Sequence, residues 1–187
     1  MPHWIRGFVV DDENLVEIGG RYVECARAVP LRCGVAFLPI TEDLAAELAL
    51  LYERASEFSA VENVQNPPDV FLQPAEVLFA WRVSREFLIA YIETDYHGGT
   101  GQQFAAVWSR GRLVQTPSLD CRKAIDIDDT GPINRALAHF AVQSATGLDR
   151  FATVGLTWYR DLCEFENPQS PYYEADYLDR RFKEYGM

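Results

Sequence analysis

At 187 residues, 48% of them apolar, the chain has the length and composition of one folded domain spanning 1–187, and wholesale disorder is excluded. Seventeen basic residues against 28 acidic ones leave a net charge of −11, which repels phosphate backbones and anionic bilayers. Nucleic acid and membrane are therefore excluded as expected partners, and a basic protein is favoured.

No apolar run approaches the roughly 18 to 20 residues that span a bilayer. The opening stretch "MPHWIRGFVVDDENL" lacks the long apolar core and small-residue cleavage site of a secretory signal. The expected location is cytoplasmic. Cys25, Cys33, Cys121 and Cys163 are scattered, with no CxxC pair and no zinc-like spacing to the three histidines. In a cytoplasmic chain these read as free, mostly buried thiols.

In chain order, "WIRGFVV" reads as a strand turned by "DDEN", and "RYVECARAV" continues in extended style. "GVAFLPI" is a short apolar strand ending at Pro39. "TEDLAAELALLYERASEF" is the clearest helix: Thr41 stands at its N-cap and Glu42 and Asp43 in its first turn, with Leu44, Leu48, Leu51 and Tyr52 on one face. Residues 59–75 carry three prolines and little periodicity, and read as a long loop.

The centre reads as four strands, 77–83, 86–96, 103–109 and 112–116, joined by short turns at 84–85 and 110–111. The second and third are apolar on both faces, as inner strands covered on both sides are. Short connections imply an antiparallel meander around residues 77–116. "SLDCRKAIDIDD" is a polar connection. "TGPINRALAHFAVQSA" is a helix with Pro132 in its first turn and Ile133, Leu137 and Phe140 on one face. "GLDRFATVGL" is a short helix, and the tyrosine-rich "SPYYEADYLDRRFKEYGM" is helical as well. The fold class is α+β, an antiparallel sheet with helices packed against it.

Candidate chemistry centres on "ETDYHGGTGQQ", residues 93–103. Residues two apart on a strand share a face, so Glu93, Asp95 and His97 form one row with Tyr91 below them. Two carboxylates and an imidazole form a ligand set for a divalent metal, or acid/base groups for hydrolysis. The loop residues Gly98, Gly99, Gly101 and Gln103 offer bare backbone to an anion. The alternative is purely structural: a strand leaving the core turns polar, and glycines let it reverse into the next strand. "GGTGQQ" has neither the GK[ST] ending of a phosphate loop nor dinucleotide spacing, so no cofactor is expected.

"DIDDTG" begins like a calcium loop, with Asp126, Asp128, Thr130 and Gly131 at the first, third, fifth and sixth positions. Leu137 stands where the bidentate glutamate belongs, which rejects an EF-hand. There is no GxSxG elbow. His139 reads as a partly buried helix residue, and His3 stands near a terminus, so no triad follows.

Eleven phenylalanines, nine tyrosines and four tryptophans make up 13% of the chain. Several tyrosines gather near the C-terminus among acids: between Asp161 and Met187, seven acids against three basic residues leave −4. Tyr172, Tyr173 and Tyr177, with Asp176 and Asp179, read as a protein-binding face for a basic partner. The competing reading is that the rings anchor the last helix to the sheet.

"IAYIETDYHGGTGQQFAAVW" followed by "TGPINRALAHF" resembles a group of uncharacterised bacterial proteins with the pattern YxExxYxGGxGxQxAxxW and then GPINxALxxL. The residues that carry the resemblance are Tyr91, Glu93, Tyr96, Gly98, Gly99, Gly101, Gln103, Ala105, Trp108, Gly131, Pro132, Ile133, Asn134, Ala136 and Leu137. In size, charge and style the chain is also similar to immunity proteins of bacterial toxin systems. These observations favour a small acidic protein that binds a basic partner. The alternatives are a metal-dependent hydrolase built on Glu93, Asp95 and His97, and a structural homo-oligomer.

Overall fold

The computed structural model describes residues 3–24, 27–53, 72–97, 100–123 and 129–184, with the backbone alone at 97, 100, 121–123 and 162. Its strands are β1 (His3–Asp11), β2 (Val29–Pro30), β3 (Val35–Pro39), β4 (Ile89–His97), β5 (Thr100–Ser109) and β6 (Arg112–Lys123). They form one sheet in the order β2-β3-β1-β4-β5-β6, and every neighbouring pair is antiparallel. The α+β reading holds.

Helices cover both faces. On one lie α1 (Leu15–Arg21), α2 (Glu42–Glu53) and α3 (Pro74–Val83), packed on Phe8, Val10, Tyr91, Phe104, Ala106 and Trp108. On the other lie α4 (Pro132–His139), α5 (Arg150–Thr153), α6 (Leu162–Glu166) and α7 (Tyr177–Glu184), over Ile5, Val9, Ala90, Ile92, Ala105 and Val107. Strand side chains alternate between faces, so β1, β4 and β5 must be apolar at nearly every position to serve both cores. That is the double-sided pattern read for the central strands.

Three elements differ from the sequence reading. Residues 77–83, expected as the first strand of the meander, form most of α3. Gln73 and Glu76 make a capping box, Pro74 stands in the first turn, and five of the seven residues from 77 to 83 are buried between the sheet and α2. A helix buried nearly all round loses its 3.6-residue stripe and mimics a buried strand. The meander is therefore β4-β5-β6. Secondly, of the region expected as extended from Arg21 to Val29, the described residues hold only Val29–Pro30 as strand, and Arg21 instead closes α1, paired with Glu17 one turn back. Thirdly, β6 runs to Lys123 rather than stopping near Thr116. Pro117 sits within it, which is tolerated because β6 is the outermost strand.

Two strand glycines are demanded by close approach. A Cβ on Gly7 would stand 2.7 Å from the Phe37 ring, and one on Gly101 would stand 2.6 Å from both the Cα and the ring of Tyr96, its cross-strand partner. In each case an aromatic ring lies over the bare backbone. Gly19, by contrast, has open space around it on α1. Gly101→Ala is expected to lower unfolding free energy by about 1–3 kcal/mol, whereas Gly19→Ala is expected to raise it by roughly 0.5–1 kcal/mol. Urea denaturation of the two variants beside the wild type checks both signs.

Candidate functional site

β4 carries Tyr91, Glu93 and Asp95 on the face covered by α2 and α3. The row exists as expected, but it runs into the protein before it runs out. Glu93 is only 7% exposed, and its Oε2 accepts the Tyr91 hydroxyl at 2.7 Å. Arg6 of β1 stands opposite it in register, and Phe104 of β5 flanks it on the other side. Asp95 is half-buried one step nearer the strand end. The His97 side chain and both Gly98 and Gly99 lie outside the described residues, as do Asp126 and Asp128. Among the described residues no group of three His, Cys, Asp or Glu side chains is placed to hold a metal ion.

What sequence reasoning missed is the second carboxylate. Glu76, 3% exposed, enters the same interior from the first turn of α3. Its Oε2 accepts the Gln73 backbone N–H at 2.8 Å, closing the capping box, and its Oε1 lies 3.8 Å from Arg6 Nη1. The signal was present as Gln73-Pro74-Ala75-Glu76, the entry signature of a helix. Reading 77–83 as strand concealed it.

Two buried carboxylates thus face one guanidinium. Burial pushes the Glu76 carboxyl up to about 7, against the opposing pull of the Gln73 N–H and Arg6, and Glu93 adds to the rise by repulsion. Burial, with the nearby carboxylates, also drives the Tyr91 phenol well above its usual range, so it stays a hydrogen-bond donor. A buried acid that holds its proton near neutral pH is a chemically capable group. Here it is packed under a helix, and its visible work is to close the core between β1, β4 and α3.

On the opposite face His3 is a structural residue. Its Nδ1 is 2.7 Å from Thr94 Oγ1 and its Nε2 3.2 Å from Leu156 O, and the ring packs against Phe151. Burial lowers its pKa to about 4. His139, expected partly buried, is exposed at the end of α4. Gln103 lies across from Thr94 and Asp120 on this face.

The GPIN stretch has a structural role. Gly131 caps α4 and Pro132 opens it, while Ile133 enters the core. Asn134, 1% exposed, receives the Phe151 backbone N–H at 2.7 Å and donates to Asp149 Oδ2 at 3.0 Å. Asp149 in turn caps α5 through the Ala152 N–H. A single asparagine thus joins two short helices.

The C-terminal tyrosines turn inward. Tyr172 and Tyr177 are each 8% exposed and pack with Tyr159 and Phe165 at ring-centre distances of 5.0–5.9 Å. The Tyr177 hydroxyl donates to Trp158 O, that of Tyr173 to Phe165 O, and that of Tyr159 to Pro30 O, while Tyr172 Oη accepts from Arg160 N. Tyr173 is half-buried. Of the two readings, the anchoring role is the one the geometry supports for these rings. Their acidic neighbours are different: Asp161, Glu164, Glu166, Glu174, Asp176, Asp179 and Glu184 are all exposed. Glu166 also accepts the Glu42 backbone N–H at 2.7 Å, at the start of α2. Cys33 and Cys163, expected buried, are exposed free thiols.

Two predictions follow from this geometry. Tyr177→Ala is expected to destabilise by about 3–5 kcal/mol, and Tyr177→Phe by roughly 0.5–1.5 kcal/mol, in chemical denaturation. The second concerns pH. Native Glu76 keeps its proton to about pH 7, whereas the unfolded carboxyl releases it near 4.5, so the native state binds more protons in that window and stability falls as pH rises through it. His3 has the opposite slope, its depressed native pKa making stability rise with pH between about 4 and 6.5. Glu76→Gln keeps the cap and removes the titration, so its stability is expected to gain on the wild type by on the order of 2–3 kcal/mol between pH 5 and pH 7.5. Denaturation curves at the two pH values read this directly.

No helix among the described residues is long and apolar enough to cross a membrane. Comparison with protein-family models, with curated proteins and with solved structures found no match to this chain.

Proposed function

We propose that this chain binds a basic protein partner in the cytoplasm, acting as an immunity protein does when it covers the positive surface of a toxin. The observation that carries the reading is the division of labour from Asp161 to Glu184. The aromatic rings face the core and fix the segment, and all seven acids face solvent against three basic residues, Arg180, Arg181 and Lys183. A rigid acidic surface steers a basic partner and sets its orientation with little ordering cost on binding. Recognition then rests on the carboxylates, including Asp176 and Asp179, rather than on the tyrosine rings.

The metal-dependent hydrolase reading has less behind it, because Glu93 is engaged by Tyr91 beneath α3. The test is retention of a basic protein by the tagged chain from native lysate. The triple variant Glu164→Gln, Asp176→Asn, Asp179→Asn is expected to keep its circular dichroism and melting temperature and to lose roughly tenfold or more in affinity for that protein. Neutralising Asp12, Glu13 and Asp43, exposed acids elsewhere, is expected to change little. Equal loss from both variants, or none from the first, would place the binding face elsewhere.

A further inference from the structure

The turn between β2 and β3 carries Arg32 against the C-terminal helix. Cys33 and Gly34 reverse the chain with positive φ angles of 66° and 74°. Just before them, the Arg32 backbone N–H donates to Val154 O at 3.0 Å. The guanidinium carbon lies 3.7 Å from the centre of the Phe182 ring, which is itself buried edge-on to Trp158. Backbone and flat face are thus both held. The remaining contact of this guanidinium among the described residues is Asp179 Oδ1, 3.6 Å from Nη2, which is too long for a hydrogen bond.

Beside Arg32 opens a cleft of about 640 Å³, walled by Cys33, Thr146, Leu148, Thr153 and Phe182. That volume is in the range of small-molecule sites. Its charge runs against the rest of the molecule. In a chain of net charge −11, the cleft is lined among the described residues by one guanidinium and by no carboxylate, Asp179 standing just outside it.

We infer that this cleft binds a small organic carboxylate, with Arg32 as its anchor. The guanidinium fork matches a carboxylate in plane, and ring stacking has already ordered it. A single cation in so acidic a chain suits one negative charge better than the two of a phosphate ester. Leu148 and Phe182 supply apolar wall for the body of the ligand, and the exposed Thr146 supplies a hydroxyl. The Thr153 hydroxyl already accepts from Ala145 N and donates to Asp149 O, so it shapes the wall. Asp179 competes weakly: its side chain is 77% exposed, and such surface pairs are worth about 0.2–1 kcal/mol. This site is distinct in chemistry from the acidic surface that would meet a basic partner, and its test does not depend on that partner.

Cys33 on the cleft wall is a built-in reporter, and exposed Cys163 is an internal control. Asp161 beside Cys163 holds that thiol above its usual pKa, and Cys163 does not line the cleft. Two probes are compared: an aromatic disulfide with a carboxylate on each ring, and an uncharged dipyridyl disulfide. In either case the cysteine thiolate attacks the disulfide, a mixed disulfide forms and one aryl thiolate leaves. Peptide mapping by mass spectrometry assigns each rate to its cysteine.

At Cys33 the carboxylated probe is expected to react saturably, and its rate relative to the neutral probe to exceed the same ratio at Cys163 by roughly tenfold or more. Benzoate is expected to slow it in the unmodified protein. Arg32→Gln is expected to abolish the preference, read as the ratio of carboxylated to neutral probe rates at Cys33, and Asp179→Asn to strengthen it. Equal probe ratios at the two cysteines would overturn the assignment. So would a preference that survives Arg32→Gln, or protection by inorganic phosphate in place of benzoate.

Discussion

Burial of both faces of the central strands is the constraint on which the rest of this structure depends. β1, β4 and β5 lie inside the sheet, with α1–α3 on one side and α4–α7 on the other, so every side chain along their middles enters one core or the other. Any polar group placed there must find its partner within the protein. Tyr91 with Glu93, Arg6 with Glu76, and His3 with Thr94 are the solutions adopted, and each joins different elements or successive same-face positions across the layers. Glycine at 7 and 101 follows from the same close packing, since backbone carbonyls and rings of neighbouring strands occupy the space that a side chain would need.

The polar residues of the "ETDYH" strand acquire their meaning from this setting. Glu93 is not a ligand waiting at a cleft edge. It is a buried acid in the same interior as a second one, Glu76, which pairs with Arg6 and which burial keeps protonated near neutral pH. The C-terminal segment follows the same logic at the surface. Tyrosine rings pack around Phe165, which itself meets Phe37, their hydroxyls satisfy backbone groups, and the acids between them are left in water. An acidic exterior fixed on an aromatic anchor gives the chain a stiff electrostatic face, while the cleft at Arg32 reverses the sign locally.

Much of this was legible from residue order alone. The polar turn and the glycines of "ETDYHGGTG" marked the β4–β5 corner, the apolar runs marked the central strands, and Thr41, Glu42 and Asp43 marked the start of α2. The row Glu93–Asp95 was also readable, because strand alternation is strictly local. α3 was not. Its buried positions surround the whole helix, and a continuous apolar run carries no period by which helix and strand can be told apart. β6 was cut short because Pro117 argues against a strand unless that strand is known to be outermost.

What the sequence by itself determined is the set of properties that depend on near neighbours or on sums: the α+β class, the double-sided strands, the turn chemistry and the net charge of −11. What only the tertiary structure decided is which of the polar and aromatic residues meet. Glu76 reaches Glu93 across 17 positions, His3 reaches Leu156 across 153, and Arg32 stacks on Phe182 from the far end of the chain. Contacts of that separation are set by which layers pack together, and no local pattern encodes them. For the same reason the sequence left the tyrosines near the C-terminus open between a binding face and a core anchor, and only the packing of Tyr172 and Tyr177 decided for the core.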